Sequence, residues 1–124
     1  MARPPSEPGL THLRVTVEDN FYLGPGRADL LELIAETGSI SAAGKRMDMS
    51  YKRAWGLVQA LNDEFGAPLV EASRGGAGQG GAALTGAGVE ILRLYRHMQQ
   101  ATRDAIASDL AAARALKTEH SGRK

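Results

Sequence analysis

Residues 39–65 read SISAAGKRMDMSYKRAWGLVQALNDEF, and this stretch decides the fold. Ser39 is a favoured helix N-cap, and Ile40, Ala43 and Met47 then fall at i, i+3 and i+7 on one helical face. The pattern predicts a helix of only about eight residues. Asp48 and Met49 break it, without the glycine often found in such a turn, and Ser50 caps again. Tyr51, Ala54, Trp55, Val58, Leu61 and Phe65 mark one face of a second, longer helix. Two helices joined by a tight turn, the second longer and amphipathic, form a helix-turn-helix pattern.

Upstream, "MARPPSEPG" is rich in proline, and residues 1–10 are expected to be a disordered lead-in. "HLRVTVED" alternates Leu13, Val15 and Val17 and reads as a strand. "GPG" at 24–26 precedes a helix expected from Arg27 to Thr37, with Leu30, Leu31, Ile34 and Ala35 on its buried face and Gly38 ending it. Downstream, "PLVEAS" reads as a strand leading into a glycine-rich stretch. Gly76, Gly78 and Gly81 there match G-x-G-x-x-G, the dinucleotide-binding fingerprint. That motif requires a helix directly after the glycines, whereas here "AAL" intervenes before Thr85, the next N-cap. The stretch is therefore read as a β-hairpin with a glycine-rich tip. Thr85 opens a long helix running to about Leu116, on which Ile91, Tyr95, Met98, Thr102 and Ile106 follow in alternating steps of three and four. So long a seam points to dimerisation, with a partly frayed terminal helix as the alternative. The order predicts a mainly α fold with a small β-hairpin, a winged helix-turn-helix with a long C-terminal dimerisation helix. The domain is placed at residues 11–116 and a flexible tail at 117–124.

The 124 residues suit one domain with a modest core. There is no cysteine, hence no disulfide framework or cysteine-based zinc site, and a reducing cytoplasm fits. No apolar run approaches the ~20 residues of a bilayer span, and the N-terminus lacks a signal-peptide core. His12, His97 and His120 are scattered, and no serine sits in a nucleophile elbow, so neither a metal site nor an enzyme is expected, and no cofactor. Net charge is +1, which by itself says nothing about a nucleic-acid partner. Distribution says more, because Lys45, Arg46, Lys52 and Arg53 cluster against a single acid, Asp48.

In a helix-turn-helix the second helix enters the major groove of double-stranded DNA with its N-terminal residues toward the bases. Those residues are Ser50, Tyr51, Lys52, Arg53 and Gly56, with Gln59 on the same outward face. Lysine and arginine read guanine, and glutamine reads adenine. A glycine inside a helix costs about 1 kcal/mol against alanine, so Gly56 marks either close approach of DNA or tolerated drift. Lys45 and Arg46 either touch phosphate or complement the dipole of the preceding helix. Arg74, at the hairpin base, is a candidate backbone contact. Trp55 is expected in the core, while Tyr51 packs by its ring, extends its hydroxyl to phosphate, or both. Asp63 and Glu64 read as an exposed helix end.

The run "LGPGRADLLELIAETGSISAAGKRMDMSYKRAWGLVQALN", followed by "PLVEASRGGAGQGGAALTGAG", resembles the N-terminal DNA-binding domain of the molybdate-responsive ModE regulators. "GSISAAGKRM" is also similar to LysR-type regulators, whereas "SYKRAW" and the glycine-rich wing ending in Leu84 and Thr85 point to ModE. The resemblance implies a homodimer on a palindromic operator of molybdenum-related genes, joined through the N-terminal strand (Val15), the helix after it and the long helix. It places DNA contacts on Ser50, Tyr51, Lys52, Arg53 and a wing that includes Arg74, Gly76 and Gln79. The family often carries Lys or Arg among these glycines, where this sequence has Ala77 and Gln79. Family members also carry a C-terminal molybdate-binding region, for which no residues remain here. Sensing is then expected to lie with a separate molybdate-sensing partner or to be absent. The rival expectation is a protein–protein interaction module on a repurposed winged-helix fold.

Overall fold

Asp19 and Asn20 turn the chain back on itself, so the N-terminal extended segment is two strands where the sequence reading gave one. In the computed structural model, which describes residues 8–74 and 80–121, β1 (Val15–Glu18) pairs antiparallel with β2 (Phe21–Leu23). Val15 lies opposite Leu23, and the register shifts by a bulge before Glu18 meets Phe21. Phe21 and Leu23 face the core, while Val17 is exposed.

Pro25 begins α1 (Pro25–Thr37), two residues earlier than expected. Proline suits that position because its missing N–H would have had no helical partner. Gly38 ends α1 in the left-handed conformation at φ 70°, its N–H returning to the Ile34 carbonyl. Leu30, Leu31 and Ile34 are fully buried. Ala35, expected beside them, is exposed, and the buried face turns instead through Arg27 and Ala28. The helix-turn-helix follows as α2 (Ile40–Arg46) and α3 (Tyr51–Phe65). Then come β3 (Val70–Arg74), β4 (Gly80–Leu84) and α4 (Gly86–Ser121).

β3 and β4 form the antiparallel wing, with Val70 opposite Leu84 and Arg74 opposite Gly80. Gly76 and Gln79 lie outside the described residues. The wing is stitched to the helical body at Gly38, whose carbonyl accepts the Ala82 N–H at 2.9 Å. Thr85 caps α4 as expected: its hydroxyl accepts from the Gly88 N–H at 3.0 Å and donates to the Pro68 carbonyl at 2.8 Å. A Cβ on Gly88 would stand 2.1 Å from the Leu69 carbonyl oxygen, so glycine is what lets α4 begin against the backbone that leads into β3.

The long helix is tied to the body in its first turns. Tyr95 is fully buried and its hydroxyl donates to the Leu13 carbonyl at 2.7 Å, a burial that raises its pKa above the ordinary phenol value. Tyr95 therefore leaves the expected dimer seam, since its ring is consumed by the chain's own core. Ile91 and Met98 pack partly against the same core. Arg96 bridges to Asp29 and Glu32 of α1 at 2.8 and 3.1 Å. The helix reaches Ser121, so residues 117–121, expected in a flexible tail, are helical. Pro8, Gly9 and Leu10, assigned to a disordered lead-in, instead line a groove on α4 with Ile106 and Leu110. Among the described residues, no helix is long and apolar enough to cross a membrane.

Candidate nucleic-acid interface

The turn between α2 and α3 shows how the sequence does without a glycine. Asp48 takes the left-handed conformation at φ 56°, which aspartate tolerates better than most residues. The Gly44 carbonyl accepts the N–H groups of both Met47 and Met49, at 3.0 and 2.9 Å. Gly44 serves a second purpose: a Cβ there would lie 2.9 Å from that of Ala54, so the two helices cross backbone against small side chain. Both caps read from the sequence are formed. Ser39 Oγ accepts from Ala42 N–H at 3.0 Å, and Ser50 Oγ from Arg53 N–H at 3.1 Å. Capping uses only an acceptor site of Ser50, leaving its hydroxyl proton to donate elsewhere.

Ala54, Val58 and Leu61 bury one face of α3. Lys52, Arg53, Gly56 and Gln59 are exposed on the other side. Tyr51 departs from the expected buried stripe: it is 58% exposed and stacks on Trp55 with ring centroids 6.4 Å apart and planes 12° apart. Trp55, expected in the core, is half-buried at its margin. The pair walls a groove of about 490 Å³ that α2 closes through Ser39 and Ser41 and the wing closes through Ser73 and Gly81.

Lys45, Lys52 and Arg53 are exposed with no ion-pair partner among the described residues. Arg46 differs, because Glu36 of α1 holds it at 3.3 Å. Both side chains are more than half exposed, and such a surface pair contributes about 0–1 kcal/mol, so a phosphate can displace the carboxylate. Arg74 ends β3, opposite Gly80 of β4.

Two features that hold this surface in shape escaped the sequence reading. Asn62, near the end of α3, clamps the wing. Its Oδ1 accepts from the N–H groups of Leu69 and Val70 at 2.8 and 3.2 Å, and its Nδ2 donates to the Val70 carbonyl at 3.1 Å. Glu64, read as an exposed helix end, is instead half-buried and takes Arg27 in a two-pronged pair at 2.8 and 3.0 Å. The Arg27 hydrogen bonds hold the Glu64 carboxyl below its ordinary pKa. Arg27 also lies 3.8 Å over the Tyr22 ring, with Arg14 3.7 Å from the same ring. A cation in the first turn of a helix opposes the helix dipole, and that mismatch was the available signal that Arg27 had a partner.

An exposed cationic helix face, a small-residue helix crossing and an adjacent two-stranded wing define a winged helix-turn-helix. The chain belongs to the bacterial regulatory helix-turn-helix proteins of the LysR family, whose family model matches residues 27–89, just over half of it. The resemblance to the ModE regulators is also upheld. The chain is 36% identical over 100 residues to the DNA-binding transcriptional dual regulator ModE of Escherichia coli K12, covering 78% of this chain and 38% of that one. It is 48% identical over 73 residues to the molybdenum-pterin-binding protein MopB of Rhodobacter capsulatus, covering 59% of this chain and 27% of the relative. It thus spans well under half the length of these curated relatives. Among solved structures it is similar to the DNA-binding domain of CbnR in its complex with DNA, with a TM-score of 0.54 and 31% identity over 70% of this chain and 95% of that one.

Proposed function

We propose that the chain is a sequence-specific DNA-binding transcription regulator that acts in the cytoplasm as a homodimer on a palindromic operator. The observation that carries this reading is the set of exposed cations Lys45, Lys52 and Arg53 on the helix-turn-helix, without an ion-pair partner among the described residues. In it, Ser50, Tyr51, Lys52, Arg53, Gly56 and Gln59 meet the major groove, Lys45 and Arg46 meet phosphate, and Arg74, Gly76 and Gln79 of the wing follow the backbone. Members of the LysR-type family and the ModE relatives support a binding role without catalysis. Relatives named for molybdenum extend the proposal to molybdenum-related genes, with molybdate sensed by a separate partner.

The dimer is proposed to form through Val15 of β1 and through Ile91, Met98, Thr102 and Ile106 of α4. From Met98 to His120 that helix is exposed apart from Gln99 and the half-buried Met98, Thr102, Ile106 and Leu110, and its length beyond the body supports a partner along it. A two-fold dimer implies half-sites about 34–36 Å apart, one turn of DNA, or a multiple of that.

The test is iterative selection from random DNA with the purified chain, followed by a salt titration on the enriched sequence. If each protomer neutralises about four phosphates, affinity falls about 10⁴-fold over a fourfold rise in salt. An enriched palindrome with a steep salt slope is expected; no enrichment, or a flat slope, refutes the reading.

A further inference from the structure

Gly56 has no structural reason to be glycine. It sits inside α3 with ordinary helical backbone, it is exposed, and nothing lies within 4 Å of where its Cβ would be. The contrast with Gly44 and Gly88 is direct, since a side chain at either would collide with Ala54 or with the Leu69 backbone. Within a helix, alanine is the more stable choice, so the fold by itself favours a residue this chain does not use.

Its neighbours on the outward face give the missing side chain a meaning. Lys52 lies one turn before Gly56 and Gln59 three residues after it, all exposed. At 1.5 Å per residue these are separations of about 6 and 4.5 Å along the helix axis, one to two base-pair steps each at 3.4 Å. A helix with its side chains is about 5–6 Å in radius, while its Cα atoms lie at about 2.3 Å. At Gly56 the surface is therefore recessed by roughly 3 Å, a notch between a lysine suited to guanine and a glutamine suited to adenine.

The notch is lined by helix backbone whose N–H and C=O groups are already committed to the i→i−4 ladder. What fills it must be small and must ask for no hydrogen bond. In the major groove one group on the base pairs meets both conditions, the C5-methyl of thymine. We infer that Gly56 is a specificity-determining position that receives a thymine methyl in each half-site, between the bases read by Lys52 and Gln59. This inference rests on the reading of α3 as the helix that enters the major groove.

The experiment uses the full chain and the operator enriched by selection, with each thymine replaced in turn by deoxyuridine, which lacks the methyl. One thymine per half-site is expected to matter, its replacement weakening the wild-type chain about tenfold, the worth of one methyl in a fitted apolar pocket. Gly56→Ala is expected to lose about as much on the unmodified operator and to recover on the deoxyuridine operator, because its added methyl fills the space the base has vacated. Its melting temperature should rise by a few degrees, which separates a lost fit from a damaged fold. If Gly56→Ala binds the unmodified operator like the wild type, or no thymine responds to deoxyuridine, the inference is overturned. Lys52→Ala distinguishes the two levels. If it weakens binding while Gly56→Ala does not, the notch is wrong and the recognition helix stands. If neither variant changes binding, both fall.

Discussion

Replacing Asn62 with alanine removes the clamp between the recognition helix and the wing, and the geometry sets the size of the effect. Three hydrogen bonds disappear, at 2.8, 3.1 and 3.2 Å. The two amides that lose their acceptor belong to Leu69 and Val70, both buried, so water cannot simply take its place. A buried backbone donor left without a partner costs about 1–3 kcal/mol. Local relaxation of the Gly66–Pro68 segment offsets part of the sum, giving an expected loss of about 2–4 kcal/mol. Asn62→Asp keeps the acceptor for both amides but sets a carboxylate oxygen against the Val70 carbonyl where the amide donated, so it should recover only part of the loss. Urea unfolding followed by circular dichroism measures both variants. DNA affinity measured well below the unfolding midpoint should also fall for Asn62→Ala, since the wing is no longer held to α3. A variant within about 0.5 kcal/mol of wild type, the range of ordinary surface substitutions, would refute the clamp.

Gly88→Ala places a Cβ against the Leu69 carbonyl oxygen, and relieving that overlap by moving α4 off the wing is expected to cost about 3 kcal/mol or more; a thermal melt unchanged from wild type would contradict the packing. The Arg27–Glu64 pair makes stability depend on acidity with a definite sign. The folded pKa of Glu64 lies below its ordinary value of 4.5, so the pair's contribution is complete above 4.5 and is lost as pH falls through the folded value. Glu64→Gln should flatten the stability curve in that acidic window, and equal pH dependence in both proteins would show the pair to be inert.

The helix-turn-helix was legible because its determinants are local. Ser39 and Ser50 cap as their positions imply, and the 3.6-residue spacing places Ala54, Val58 and Leu61 in the core. Thr85 and the wing strands were found the same way, from a capping residue and an alternation. The misreadings share a different cause. Phe21–Leu23 is a three-residue strand, too short for alternation to establish, and only the Asp19–Asn20 turn announced it. Tyr95 matched a dimer seam by spacing, but spacing along one helix cannot say whether its partner is a second chain or Leu13, 82 residues earlier. Asn62 and the Arg27–Glu64 pair act across 7–37 residues of sequence, between elements whose meeting no local pattern encodes. On α3 the outward placement of Lys52, Gly56 and Gln59 was legible, because exposure on one face follows from burial of the other, whereas Tyr51 at the end of the apolar stripe was not. The sequence did not show that Arg46 is already held by Glu36.

The stacking of Tyr51 on Trp55 gives the protein an optical reporter. The chain has one tryptophan, so emission excited beyond the tyrosine absorption band comes from a single side chain. That indole is half-buried at the rim of a groove shared by both helices of the motif and the wing. A ligand entering the groove changes the water around the ring, and a displaced Tyr51 removes its stacking partner. Unlabelled protein can thus report occupancy of this surface through emission intensity and wavelength, with no dye to perturb it.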